Sequence, residues 1–171
     1  GLKALLAAGY PVLIESWYIR DAQDQLGHYR LVVGYNDATQ HFDLFDSLYD
    51  PPTTMAYQEL YELWRVFNWT YMVIAPPELW EELATLIGPA LQDTSMYERA
   101  LTRARDETSR QPEFCAAYAD CRDWVTMSWF TIGSNLTALG RHVEAVEAYD
   151  QARRLGLHGR MLWYQFGPYE S

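Results

Sequence analysis

The apolar residues of this chain change their period at Pro76-Pro77. Before that pair they come in short β-branched and aromatic runs, and after it they recur at helical spacing. Two adjacent prolines can continue neither a strand ladder nor a helix. The chain therefore divides into a mixed α and β half, residues 1–76, and an all-helical half, residues 77–171. In the first half, residues 11–19 and 29–35 read as strands. Asn36-Asp37-Ala38-Thr39 is turn chemistry and residues 41–47 alternate beyond it, which makes 29–47 a β-hairpin. Asp50-Pro51-Pro52 then breaks the chain. Tyr57, Leu60, Tyr61, Trp64 and Phe67 fall at helical spacing, and residues 71–75 return to strand.

The helical half carries its own punctuation. Residues 78–87 form an amphipathic segment stopped by Gly88-Pro89, and Ser95 with Glu98 three residues later forms a capping box for a helix through about Ser109. Pro112 sits at an expected first helical position, and residues 113–139 hold one long helix or two with a break near Asp123. Gly140 ends that stretch, and residues 143–155 supply another helix closed by Gly156.

Composition narrows the function classes. Of 171 residues 49% are apolar and 15% aromatic, enough for a globular core. Thirteen Lys and Arg against 23 Asp and Glu give a net charge of −10, and the basic residues are scattered, which argues against nucleic-acid binding. No apolar run approaches the roughly 20 residues of a membrane-spanning helix. The two cysteines, Cys115 and Cys121, are six apart in a helical stretch, about 9 Å at a rise of ~1.5 Å per residue. They match neither a redox pair nor a zinc half-site and read as buried, inert thiols. The opening Gly-Leu-Lys and the aromatic ending make the chain read as a piece excised from a longer protein.

Trp129-x2-Ile132-Gly133-x2-Leu136, followed by Ala145-x3-Tyr149-x2-Ala152, resembles the tetratricopeptide repeat. Leu136 and Leu157 stand where that family has Tyr and Pro. Trp129 and Trp163, Ile132 and Phe166, and Gly133 and Gly167 are each 34 residues apart, the period of the family. One clear repeat over residues 126–159 and a second, cut off within its first helix, from residue 160 are expected. Small Gly133 and Ala145 would let the helices approach while Trp129 and Tyr149 fill the seam. His142 takes a repeat position often held by Tyr and reads as packed; His158 follows a helix end and reads as solvated.

Gly27-His28-Tyr29-Arg30-Leu31-Val32-Val33-Gly34-Tyr35-Asn36, with Phe42-Asp43-Leu44-Phe45-Asp46-Ser47, resembles the core hairpin of the papain-like double-glycine, bacteriocin-processing type of cysteine peptidase. The lead-in 2–14, the helix with Trp64 and the closing strand extend the resemblance over residues 2–75. The resemblance implies an antiparallel papain-like sheet, incomplete here, and a Cys nucleophile whose general base is His28 and whose orienting acid is Asp46. With the hairpin centred near Ala38, His28 falls opposite Leu48, and Asp46 is its diagonal neighbour on the same face, about 7 to 8 Å away between backbones. A strand-end His that meets a carboxylate for structural reasons alone is the alternative.

In the family the nucleophilic Cys and an oxyanion-stabilising Gln precede the His, on a helix that would come before Leu2. The nucleophile is thus not expected in this chain, and Cys115 and Cys121, following the His in a helical stretch, are not expected to replace it. The chain by itself is expected to be inactive. His28, His41, Asp43 and Asp46 lack metal-ligand spacing, and no cofactor is called for. The expected parent is an exported bacterial protein that cleaves or binds peptides, with the repeats holding a peptide or protein partner. A non-enzymatic peptide or protein binding scaffold is the alternative. Apolar surface left open in so truncated a form favours a homo-oligomer.

Overall fold

The computed structural model describes residues 1–19, 25–50, 52–109, 121–163 and 165–171. They form two compact units, Gly1–Leu91 and Gln92–Ser171.

The first unit runs α1 (Leu2–Ala7), β1 (Val12–Ile19), β2 (Gln25–Asn36), β3 (His41–Phe45), β4 (Thr53–Ala56), α2 (Tyr57–Arg65), β5 (Tyr71–Val73) and α3 (Trp80–Ile87). Its five strands make one antiparallel sheet in the order β4-β3-β2-β1-β5. The expected strands and hairpin are present. The segment after Asp50, expected only as a break, instead adds β4 to the edge through backbone pairing with β3. At the hairpin turn the Asn36 Oδ1 accepts the Ala38 amide at 2.9 Å, and Gln40 closes the turn with φ 56°.

The core joins Leu5, Leu6 and Tyr10 to Val12, Ile14, Val32, Phe42 and Leu44, with Leu60 from α2 and Leu83 from α3. Burial of these side chains supplies most of what holds the sheet and helices together, at about 25 cal/mol per Å². Pro76-Pro77 ends the sheet but not the unit. Prolines interrupt backbone pairing, not packing, so the apolar face of α3 turns back into the sheet's core and the unit closes at Leu91 rather than at residue 76.

One irregularity in β2 decides which of its side chains share a face with those of β3. Near the turn, Tyr35 pairs with Phe42 and Gly34 with Asp43; beyond a bulge, Val32 pairs with Leu44 and Leu31 with Phe45. Paired residues share a face of the sheet, and one inserted residue swaps the faces of all that follow. The bulge at Val33 thus lets both Tyr35 and Val32 face the core. It also sends Arg30 and His28 to the same face as Leu44 and Asp46. A bulge-free hairpin would have put His28 and Asp46 on opposite faces.

The second unit runs α4 (Asp93–Ser109), α5 (Cys121–Ala138), α6 (His142–Leu155), a 3-10 turn at Gly159–Trp163 and a last helical turn, α7 (Gly167–Glu170). Helix α4 begins at Asp93, two residues before the expected cap. Ser95 lies inside it, and the acidic Asp93 meets the positive end of the helix dipole. Helix α5 is apolar on nearly every side and is buried accordingly, with Trp124, Val125, Phe130, Ile132 and Leu136 all in the core. Gly140 and Gly156, at φ 71° and 99°, end α5 and α6 as expected. The Arg141 amide donates to the Leu136 carbonyl at 2.8 Å and that of Leu157 to Ala152 at 3.1 Å.

The seam between α5 and α6 is made by Gly133, Phe130, Ala145, Ala148 and Tyr149. A Cβ on Gly133 would lie 2.6 Å from the Tyr149 ring, so only glycine allows this approach. Trp129, expected in the seam, is half-buried and lines an open cavity instead. His142 is exposed rather than packed; it is the first residue of α6, one turn before Ala145. His158 is half-buried rather than solvated, its Nδ1 accepting the Arg160 amide at 3.3 Å. The 34-residue offset has a physical counterpart: Gly167, like Gly133, closes on Tyr149, against its hydroxyl, and Ser171 Oγ lies 2.8 Å from Thr137 Oγ1. The segment from residue 160 does not form the continuous helix that the period implied. It docks by Met161, Gly167 and Ser171 and leaves Trp163, Phe166 and Tyr169 exposed.

Candidate functional site

Along one face of the sheet the apolar row of Val12, Ile14, Val32 and Leu44 gives way to polar side chains. Strand alternation places Ser16 beyond Ile14 on β1, and Arg30 and His28 beyond Val32 on β2. Asp46 follows Leu44 immediately past the end of β3. All four arise where the register dictates, and Ser16, Arg30 and Asp46 are buried.

His28 Nε2 lies 2.7 Å from Asp46 Oδ1, so the structure brings the two expected residues together. The same oxygen accepts the Leu48 amide at 2.9 Å, and the Tyr49 amide donates to the Asp46 carbonyl at 3.2 Å, which turns the chain sharply after β3. Arg30 Nε donates to the other carboxylate oxygen, Oδ2, at 2.9 Å. Arg30 Nη1 also donates to Ser16 Oγ, and Ser16 Oγ donates to the His28 carbonyl at 3.1 Å. The result is a closed ring of hydrogen bonds over β1, β2 and the exit of β3.

Burial pushes the Asp46 carboxyl up, but the Leu48 amide, His28 and Arg30 together outweigh it and hold it below the usual carboxylate value. An ionised carboxylate only accepts, so the Nε2 of a neutral His28 donates and Nδ1 carries the lone pair. Among the described residues Nδ1 has no hydrogen-bond partner, and 12% of the side chain is exposed. Such an imidazole can take a proton from a nucleophile placed at Nδ1. The Tyr18 ring stands 5.7 Å from the imidazole, and Tyr18 in turn raises the Tyr49 phenol above its usual value.

Comparison with family models, curated proteins and solved structures gave no match. The chemistry of the site is accordingly read from its own geometry.

The other histidine and aspartate of the hairpin do not join this cluster. His41 and Asp43 lie toward the turn end, beside a cavity of about 400 Å³ that Tyr35 and Thr54 also line. Among the described residues no three His, Cys, Asp or Glu side chains are grouped to hold a metal. Cys115 lies outside the described residues, and of Cys121 only the backbone, at the start of α5, is described. In the helical unit a cavity of about 690 Å³ opens between α4, α5 and α6, lined by Arg105, Trp129, Glu144, Glu147 and Gln151. No described helix is long and apolar enough to cross a membrane.

Arg30 and Ser16 were not singled out from the sequence. The signal was available, since Arg30 shares the parity of His28 and Val32 and therefore the inner face. A guanidinium on an inner face demands a carboxylate partner.

Proposed function

We propose that the sheet unit carries the base and orienting acid of a papain-like cysteine peptidase, His28 and Asp46, in a protein whose nucleophilic thiol lies before Leu2. The observation that supports this reading is the 2.7 Å contact between His28 Nε2 and an ionised, buried Asp46, with Nδ1 left without a partner among the described residues. In the reaction the thiol proton passes to Nδ1 as the sulfur attacks a peptide carbonyl, and the imidazolium returns it to the leaving amine. The helical unit is proposed to hold a peptide or protein partner, and the exposed Trp163, Phe166 and Tyr169 to seat a second copy of the chain.

The test is peptide hydrolysis by the protein with the residues its gene encodes before Leu2. Hydrolysis blocked by thiol alkylation, and lowered about 100- to 10,000-fold by His28→Ala, supports the reading. Hydrolysis that survives His28→Ala overturns it, as does the absence of any. The chain from Gly1 to Ser171 by itself is expected to give none.

The second reading, a binding scaffold without catalysis, is favoured by Arg30. Its ion pair with Asp46 and its bond to Ser16 give the carboxylate a structural duty independent of His28.

A further inference from the structure

We propose that Arg30 is the positioning residue of the His28 imidazole, fixing the carboxylate that directs Nδ1 outward. An aspartate has two side-chain torsions, and a carboxylate held through both oxygens is restrained in both more tightly than one held through a single oxygen. Here Oδ1 takes His28 Nε2 and the Leu48 amide while Oδ2 is engaged at 2.9 Å by Arg30 Nε. The last bond adds a restraint on the second oxygen and opposes any tilt of the carboxylate away from His28. Arg30 is itself fixed by Ser16 Oγ, whose own hydroxyl is tied to the His28 backbone. The guanidinium therefore refers the position of Asp46 back to the strand that carries His28. Its side chain is 3% exposed and that of Asp46 1%, so water does not loosen the contact.

Among the described residues, Tyr18 stands 5.7 Å from the imidazole, with Tyr49 beside Tyr18. Neither replaces the Arg30 contact to Oδ2. The term positioning residue rests on the peptidase reading. The geometry on which Arg30 acts stands apart from it, and so does the test.

The experiment follows the His28 ring nitrogens by NMR in the chain labelled with ¹⁵N-histidine, with His28→Gln assigning its signals among those of the four histidines. The wild type is expected to show the Nε2–H tautomer and a slowly exchanging ring proton. In Arg30→Met that proton is expected to exchange about tenfold faster, the worth of one hydrogen bond, while the backbone amides of Val12 and Val32 keep their rates. An unchanged ring-proton rate, or an Nδ1–H tautomer in the wild type, overturns the proposal. If Arg30→Met fails to fold, Ser16→Ala decides, because it removes the anchor of the guanidinium, together with the hydroxyl's bond to the His28 carbonyl, and leaves the Arg30–Asp46 pair itself in place. Faster ring exchange in Ser16→Ala supports the role of Arg30, and an unchanged rate defeats it. Failure of the hydrolysis test with these signals as expected would retire the peptidase reading alone.

Discussion

Asp46 in the sheet unit and Tyr149 in the helical unit are both buried and both ringed by neighbours, yet they are held by different physics. Asp46 is fixed by direction: three donors from β2 and from the turn after β3 converge on two oxygens. Tyr149 is fixed by volume: Gly133 leaves room for its ring and Gly167 for its hydroxyl, while Phe130 packs at 5.3 Å between ring centres. Its hydroxyl meets Ser134 and Thr137 only at 3.4 Å each. A residue held by charge answers to the loss of a partner and to pH. One held by space answers to the addition of a single methyl group.

The sharpest way to break this contrast is Asp46→Ala. It strands the buried Arg30 without its counter-charge, and removing one member of a buried ion pair costs about 3–5 kcal/mol. Urea denaturation should register that loss, and hydrogen exchange resolved by peptide should place it in β1–β3. A cost under about 1 kcal/mol would mean that water or another group replaces Arg30's partner, and the directional account would fail.

Gly133→Ala is the matching change in the helical unit. In an unhindered helix it would gain roughly 1 kcal/mol of propensity. Here the added Cβ meets the Tyr149 ring at 2.6 Å, and overpacking of this kind costs about 1–3 kcal/mol. Net destabilisation is expected, and Tyr149→Leu in the same background should relieve it. A stabilised Gly133→Ala would show that the seam opens freely and that volume does not hold it.

The same contrast explains what could be read from the sequence. Periodicity announced the strands, the hairpin, α2, α3 and the two glycine-stopped helices, because each buries a repeating apolar face. The His28–Asp46 pair was legible for a narrower reason. A centre near Ala38 gives the register that prevails below the bulge, whereas the turn itself pairs Asn36 with His41. Neither the bulge at Val33 nor strand β4 leaves a periodic trace. A bulge is one residue, and a four-residue edge strand pairs through its backbone. Trp129 misled because a repeat position fixes a helix face, not what lies opposite it. The tail misled because an offset of 34 preserved its contacts to Tyr149 and Thr137 without preserving the helix between them.

Acid sharpens the comparison further, with a smaller effect. The folded Asp46 carboxyl lies below its ordinary value, so it takes up its proton at lower pH than in the unfolded chain. Its contribution is complete above the unfolded value, near 3.9, and is lost as pH falls through the folded one. Stability of the sheet unit should therefore decline below about pH 4, with β1–β3 exchanging first. Tyr149 is displaced the other way, its phenol raised by burial against the lowering bonds of Ser134 and Thr137, so it stays neutral through the acid range. Loss of protection in α5 and α6 ahead of β1–β3 on acidification would reverse the assignment of charge to one unit and volume to the other.

The smallest expected effect on stability is at Trp163. Its side chain is 67% exposed, with the Arg160 guanidinium 5.3 Å from the ring centre, and Phe166 and Tyr169 are exposed beside it in sequence. Among the described residues neither means of fixing a side chain operates here: no carboxylate directs it and no glycine makes room for it. Trp163→Ala should therefore change the unfolding free energy of the chain by no more than about 0.5 kcal/mol, as for other exposed positions. A tryptophan with so little to do inside its own unit is free to do more between copies, where large aromatic side chains anchor contacts. If these three aromatics seat a second copy, sedimentation at micromolar concentration should show a species heavier than the 19.9 kDa chain, and Trp163→Ala should shift it toward the monomer. A wild type that sediments as a monomer defeats the oligomer proposal. A large loss of stability in the substituted monomer would instead mean that the tail, like Gly133, holds its unit by volume.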